Sequence, residues 1–189
     1  KKSILLNPKN PLPYALLGLI KEGHMLANFD KDLGKQRSNA TKYVEKAIEL
    51  GPENIESLFY SGKFYRIIGN FNKAIKLFEK AIEIAPFGPE EIRINLVSTH
   101  LANFDFDKAS QIATSLLNQG DKRSVFIGSM FLIYIKAKTG EIKDAKNDFK
   151  IILDKYNYTK EAALYQIRRY SPGTWTWISS EFKSTMENL

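Results

Sequence analysis

The sequence predicts an all-α protein built as an array of stacked antiparallel helix pairs, and three observations carry that expectation. Ala40, Ala74, Ala109 and Ala145 recur 34, 35 and 36 residues apart in similar surroundings. Between them, apolar and small residues return at three- and four-residue steps, the period of one helix face. A unit of this length is a single helical hairpin, too small to bury its own apolar stripe, so neighbours must stack to make a core.

The clearest unit spans 55–88, where Leu58, Ser61, Gly62, Tyr65, Gly69, Phe71, Ala74, Phe78, Ala81 and Pro86 fall in a fixed pattern. Gly69-Asn70 interrupts the two helices, since glycine takes positive φ without penalty and asparagine is a good N-cap. The small residues Gly62, Ala74 and Ala81 let the helices approach, while Tyr65, Phe71 and Phe78 fill the space between hairpins. This unit resembles the tetratricopeptide repeat family, whose 34-residue unit carries small residues at these places and a proline closing the second helix. The resemblance implies a right-handed superhelical array of helix pairs, a tetratricopeptide-like α-solenoid.

A unit at 90–121 keeps Leu96, Phe106 and Ala109 but has Val97 for the glycine, His100 for the tyrosine and Leu116 for the second alanine. A fourth, at 126–157, keeps Leu132, Gly140, Ile142, Ala145 and Phe149, with Ile133 and Ile152 in place of small residues. Upstream, a unit at 11–52 opens with Tyr14, Leu17 and Gly18 and closes with Ala47 and Pro52. Gly18 to Ala40 is 22 residues where Gly62 to Ala74 is 12, so about ten extra residues are expected as a long connection near 27–38. Asn28 to Arg37 is either a contact loop or tolerated length. Residues 1–10 match the end of a truncated leader repeat. Thr159 is expected to cap a helix reaching Tyr170, completing a repeat domain over 1–170. After Ser171-Pro172-Gly173, the positions Trp175, Ile178, Phe182, Met186 and Leu189 give a last amphipathic helix, 171–189, whose stripe caps the array with Trp175 and Trp177 over its open end.

Composition removes several classes of function. The chain has no cysteine, hence no disulfide, thiolate metal site or cysteine nucleophile. No run approaches the roughly 18 apolar residues of a membrane span, and no secretory signal opens the chain, so a cytoplasmic protein without membrane contact is expected. Lys1-Lys2-Ser3 lacks an initiator methionine, and the half-repeat that follows suggests a piece of something longer. The net charge of +7 divides as +4 over 1–37, −2 over 38–121, +6 over 122–170 and −1 beyond.

Reactive groups are sparse. There is no phosphate loop, nucleophile elbow or paired-histidine motif, so no catalytic, cofactor or metal site is expected. His100 with Asp105 and Asp107 is the one cluster of metal-ligand type, and it reads as a core histidine beside the N-cap Asp105. His24 has no evident partner. Asn39-Ala40-Thr41 and Asn157-Tyr158-Thr159 fit the glycosylation triplet and read as accidental without a signal.

The family resemblance implies a groove lined by the first helix of each hairpin. Carried over by position, its candidate contacts are Phe59, Lys63, Arg66, Ile94, Ser98, Met130 and Tyr134, with the neighbouring Asn95. They suit an extended peptide with apolar and acidic side chains, because methionine and aromatics adapt to apolar groups while lysine and arginine pair with carboxylates. A variant of the family that clamps a C-terminal carboxylate is disfavoured, since Ala15 and Leu19 stand where polar groups are needed. The long connection also resembles, at the level of architecture, the repeat halves of bacterial winged-helix transcription regulators of the HilA type. The expected function is thus a non-catalytic protein-interaction module of a larger bacterial protein, with self-association possible. The alternatives are nucleic-acid binding through Lys136, Lys138, Lys143, Lys146, Lys150, Lys155, Arg168 and Arg169, or a small-ligand sensor pocket.

Overall fold

The computed structural model describes residues 2–27, 33–118, 121–170 and 178–189. Every regular element among them is a helix: α1 (Lys2–Leu6), α2 (Leu12–Ala27), α3 (Leu33–Leu50), α4 (Ile55–Ile67), α5 (Phe71–Ile84), α6 (Glu90–Ala102), α7 (Phe106–Leu117), α8 (Lys122–Lys138), α9 (Ile142–Tyr156), α10 (Lys160–Tyr170) and α11 (Ile178–Glu187). None is long and apolar enough to cross a membrane. The chain divides into two compact units, Lys1–Gly88 and Pro89–Leu189.

In the first unit α2 packs on α3 and α4 on α5, and the first helices α2 and α4 lie side by side. Asn54 and Asn70 start α4 and α5 by accepting from the amides of Ser57 and Lys73 at 2.8 and 3.2 Å. Each thereby satisfies one of the amides that a helix start leaves without a partner. Gly69 closes the turn at φ 83°, where any other residue would be strained. Gly62 is needed for a different reason: a Cβ there would lie 2.6 Å from Cε1 of the buried Phe78. Ala74, Phe78 and Ala81 are fully buried against it, so the α4–α5 hairpin closes through a glycine on one helix and a ring on the other.

The first hairpin corrects the expectation of a long loop. α2 has 16 residues and α3 has 18, against 13 and 14 in α4 and α5. Leu33 to Arg37 are the first turns of α3, and only 28–32 of the expected connection lie outside the described residues. The extra chain therefore mostly extends the helices. Glu22, with its side chain 0% exposed, accepts from Arg37 Nη2 at 2.6 Å and Nε at 3.1 Å across the extended turns. That bond to Glu22 holds the Arg37 guanidinium above its ordinary pKa. A buried carboxylate needs such a partner, since desolvation without one is costly.

In the second unit α6 packs on α7, α7 and α9 pack on α8, and α11 packs on α8 and α10. Its core joins Ile94, Val97, Ala109, Ala113 and Leu116 to Ile127, Met130, Ile133 and Phe149, and then to Ile167 and Met186 of the last two helices. Thr159 does cap α10, accepting from the Ala162 amide at 3.2 Å. Met186 of α11 is buried in the core of its unit, while Trp175 and Trp177 and the side chains of Ile178 and Phe182 lie outside the described ones. α8 begins at Lys122, four residues before Phe126, because Asp121 caps it by accepting from the Ser124 amide at 2.9 Å.

Candidate functional site

The candidate contacts sit on α4, α6 and α8, the first helices of their hairpins, and they separate by burial. On α4, Phe59 and Lys63 are half-buried. The Lys63 ammonium lies 5.3 Å from the Phe59 ring centre and 6.0 Å from that of Tyr60, and Phe59 in turn leans on Phe78 at 6.2 Å. One turn of helix thus presents two rings with a cation over them, each ring anchored by its neighbours. Arg66, the third α4 candidate, is buried at 5% exposure.

On α6, Ile94, Asn95 and Ser98 are all buried. Asn95 Nδ2 donates to the Glu91 carbonyl at 2.7 Å and the Ser98 hydroxyl to the Ile94 carbonyl at 2.9 Å. Burial leaves such polar groups little choice, and the nearest acceptors are carbonyls one turn back. On α8, Met130 and Tyr134 belong to the hydrophobic core of the second unit. Phe59 and Lys63 are therefore the two candidates offering substantial side-chain surface to a partner. Tyr60 completes their cluster; the sequence signal was its adjacency to Phe59, and the groove pattern passes over it.

The position occupied by Tyr65 carries the strongest electrostatics. The Tyr65 hydroxyl donates to Glu45 of α3, and the Lys73 ammonium pairs with the same carboxylate while lying 4.4 Å from the Tyr65 ring centre. Burial first, then the Glu45 carboxylate, pushes the Tyr65 phenol well above its usual pKa. Burial alone would raise Glu45, but the hydrogen bonds from Lys73 and Tyr65 outweigh it and hold that carboxyl below its usual range. In the next hairpin the equivalent residue is His100. Its Nδ1 lies 3.1 Å from Asp105 Oδ2, while Asp105 Oδ1 accepts from the Lys108 amide and caps α7. The structure thus places His100 in the core beside an N-cap. Among the described residues no group of three metal-ligand side chains converges. The side chain of His24 is outside the described ones.

In the second unit, Arg123 Nη2 reaches Glu91 at 2.7 Å and the Ser124 hydroxyl donates to Glu90, tying the start of α8 to the start of α6. Of the lysines in the basic segment, Lys143, Lys146 and Lys150 are exposed on α9, whereas Lys136 is bound to Asp148 at 2.7 Å.

The tetratricopeptide repeat family model matches residues 55–87, the α4–α5 hairpin with its Gly62, Gly69, Ala74 and Ala81. That hairpin is similar to a tetratricopeptide repeat. Over 99% of its length it superposes on 90% of YrrB, described as a tetratricopeptide repeat protein with an unusual peptide-binding site, at a TM-score of 0.59 and 15% identity. That likeness is one of fold, and it extends the repeat architecture beyond the single matched hairpin.

Proposed function

We propose that this tetratricopeptide repeat chain is a non-catalytic, cytoplasmic docking segment of a larger bacterial protein, of the kind that regulates transcription. Its ligand on this reading is an extended peptide with acidic and apolar side chains. The observation that carries the reading is the Phe59, Tyr60 and Lys63 cluster on α4: two ring faces for an apolar side chain, and a cation beside them for a carboxylate. Ile94, Asn95, Ser98, Met130, Tyr134 and Arg66 then hold the first helices in place, with contact concentrated on the α4 turn. Nothing in the reading requires a cofactor or metal.

An array of immobilised peptides, probed with the chain and with Lys63→Glu, tests this. Peptides pairing an acidic with an apolar residue should be retained by the parent and lose about tenfold in affinity with the variant, the loss expected at an interface hot spot. Retention of the same peptides by Lys63→Glu would remove α4 as the site. Binding of an oligonucleotide at low salt, declining steeply as salt is added, would instead favour the nucleic-acid reading of the α9 lysines.

A further inference from the structure

α9 sorts its charges onto two sides. Glu141, Asp144 and Asp148 gather around Lys136 of α8, which Asp148 holds at 2.7 Å. That bond first, and then the fields of Asp148, Asp144 and Glu141, hold the Lys136 ammonium above its usual range. Glu141 and Asp148 also line a hollow between α7 and α9, beside Ile133 and Ile152. The carboxylates of this stretch are thus turned toward α7 and α8.

Lys143, Lys146 and Lys150 stand on the other side. At about 100° per residue they fall within a wedge of about 60° and span about 10 Å along the axis, whereas Asp144 and Asp148 lie about 100° or more from all three. All three lysines are exposed, and among the described residues none of them makes an ion pair. Asp154, one turn past Lys150, is the one α9 carboxylate on their side. From Lys136 to Lys155 six cations stand against four carboxylates, so the stretch is basic even before its charges are sorted.

The repeat does not demand this ridge. Aligned on Ala74, Ala109 and Ala145, the same three positions hold Asn72, Ile75 and Glu79 in α5 and Asp107, Ser110 and Thr114 in α7. Packing therefore asks nothing of the lysines, and like charges at these spacings repel one another until an anion lies across them. A polyanion meets repulsion over 38–121, net −2, and attraction over 122–170, net +6. Lysine serves as a point charge for phosphate, and no arginine to fork onto a base edge and no ring to stack on a base shares the wedge. At about 3.4 Å of rise per phosphate in one strand, the ridge covers about three successive phosphates.

We propose that the Lys143, Lys146 and Lys150 ridge of α9 binds the phosphate backbone of a nucleic-acid duplex without reading its sequence. The ridge and the α4 cluster lie on different helices of different units, so the two readings stand or fall separately.

The probe is a fluorescein-labelled DNA duplex of mixed sequence, titrated with the whole chain and followed by anisotropy at several salt concentrations. Three phosphate contacts give a slope of about −2.7 for the logarithm of affinity against that of salt, or about a 40-fold loss between about 50 and about 200 mM. Lys143→Gln, Lys146→Gln and Lys150→Gln should each take about one unit from the slope. The triple variant should bind at least about tenfold more weakly at low salt, with the unfolding temperature and the peptide-array pattern unchanged. Lys76→Gln with Lys80→Gln, which removes two exposed lysines of α5, should leave the slope as it is. No binding at about 50 mM salt, a triple variant that binds like the parent, or an α5 variant that loses as much slope as the α9 ones would overturn the proposal. Polyglutamate bound as tightly as the duplex would do so as well, because phosphate would then not be what the ridge selects.

Discussion

The α4–α5 hairpin and the α6–α7 hairpin solve the same packing problem with exchanged parts. In the first, Gly62 faces the ring of Phe78 and Ala81 stands one turn further on. In the second, the equivalent residues are Val97, Ala113 and Leu116, all buried in the core of their unit. Volume removed at the Phe78 position is returned at the positions of Gly62 and Ala81, so the fill is conserved while every residue differs. Polar anchoring shifts likewise: Tyr65 reaches back to Glu45 on the preceding helix, and His100 reaches forward to Asp105 in its own turn. What a repeat conserves is the distance between helices, and several side-chain sets supply it.

The largest expected effect comes from breaking this exchange. Phe78→Ala should cost about 3–5 kcal/mol in denaturant unfolding, as a buried ring lost to a cavity. Gly62→Val alone should cost about 1–3 kcal/mol through overpacking against that ring. The double variant copies the other hairpin, and its cost should fall short of the sum by about 1 kcal/mol or more. Strict additivity would show that the two positions do not share the space.

Next in size are the turns. Gly69 and Gly140 have φ of 83° and 96°, and between them in register stands Phe104 at φ 58° with 66% of its surface exposed. A Cβ in this region costs about 1–2 kcal/mol, so Gly69→Ala should destabilise by about 1 kcal/mol. Phe104→Gly should go the other way and stabilise by up to about 1 kcal/mol, part of the relief being offset by the greater freedom of glycine in the unfolded chain. Thermal unfolding of the two variants distinguishes a strained turn from one held by its surroundings.

The smallest effect concerns the anchors. Glu45 is held below the usual carboxylate range, so its contribution is present above the unfolded value near 4.5 and is lost as pH falls through the folded one. Glu45→Gln should flatten the acid limb of a stability–pH curve by less than about 1 kcal/mol, because the carboxylate is about half exposed. The His100 hairpin, untouched by that change, is the internal control.

Much of this was legible beforehand. The period of the alanines gave the hairpins, and Asn70, Asp105 and Thr159 marked helix starts because a cap acts within three residues of itself. Spacing could not tell whether ten extra residues would loop out or lengthen α2 and α3, since that turns on Glu22 meeting Arg37, 15 residues away. The groove was legible as positions on first helices. Which of those positions keep side-chain surface, Phe59 and Lys63 but not Ile94 or Met130, depends on what packs over each.

By itself, then, the sequence determined the helices, their pairing and the repeat, because caps, glycine turns and apolar periodicity are local and each residue reports on its own neighbours. Only the tertiary structure decided which side chains meet. The Phe78 ring over Gly62, the carboxylate under Tyr65 and the hollow beside Ile133 and Ile152 all arise between helices. There the free energy depends on matched volumes and paired charges, which no single position encodes.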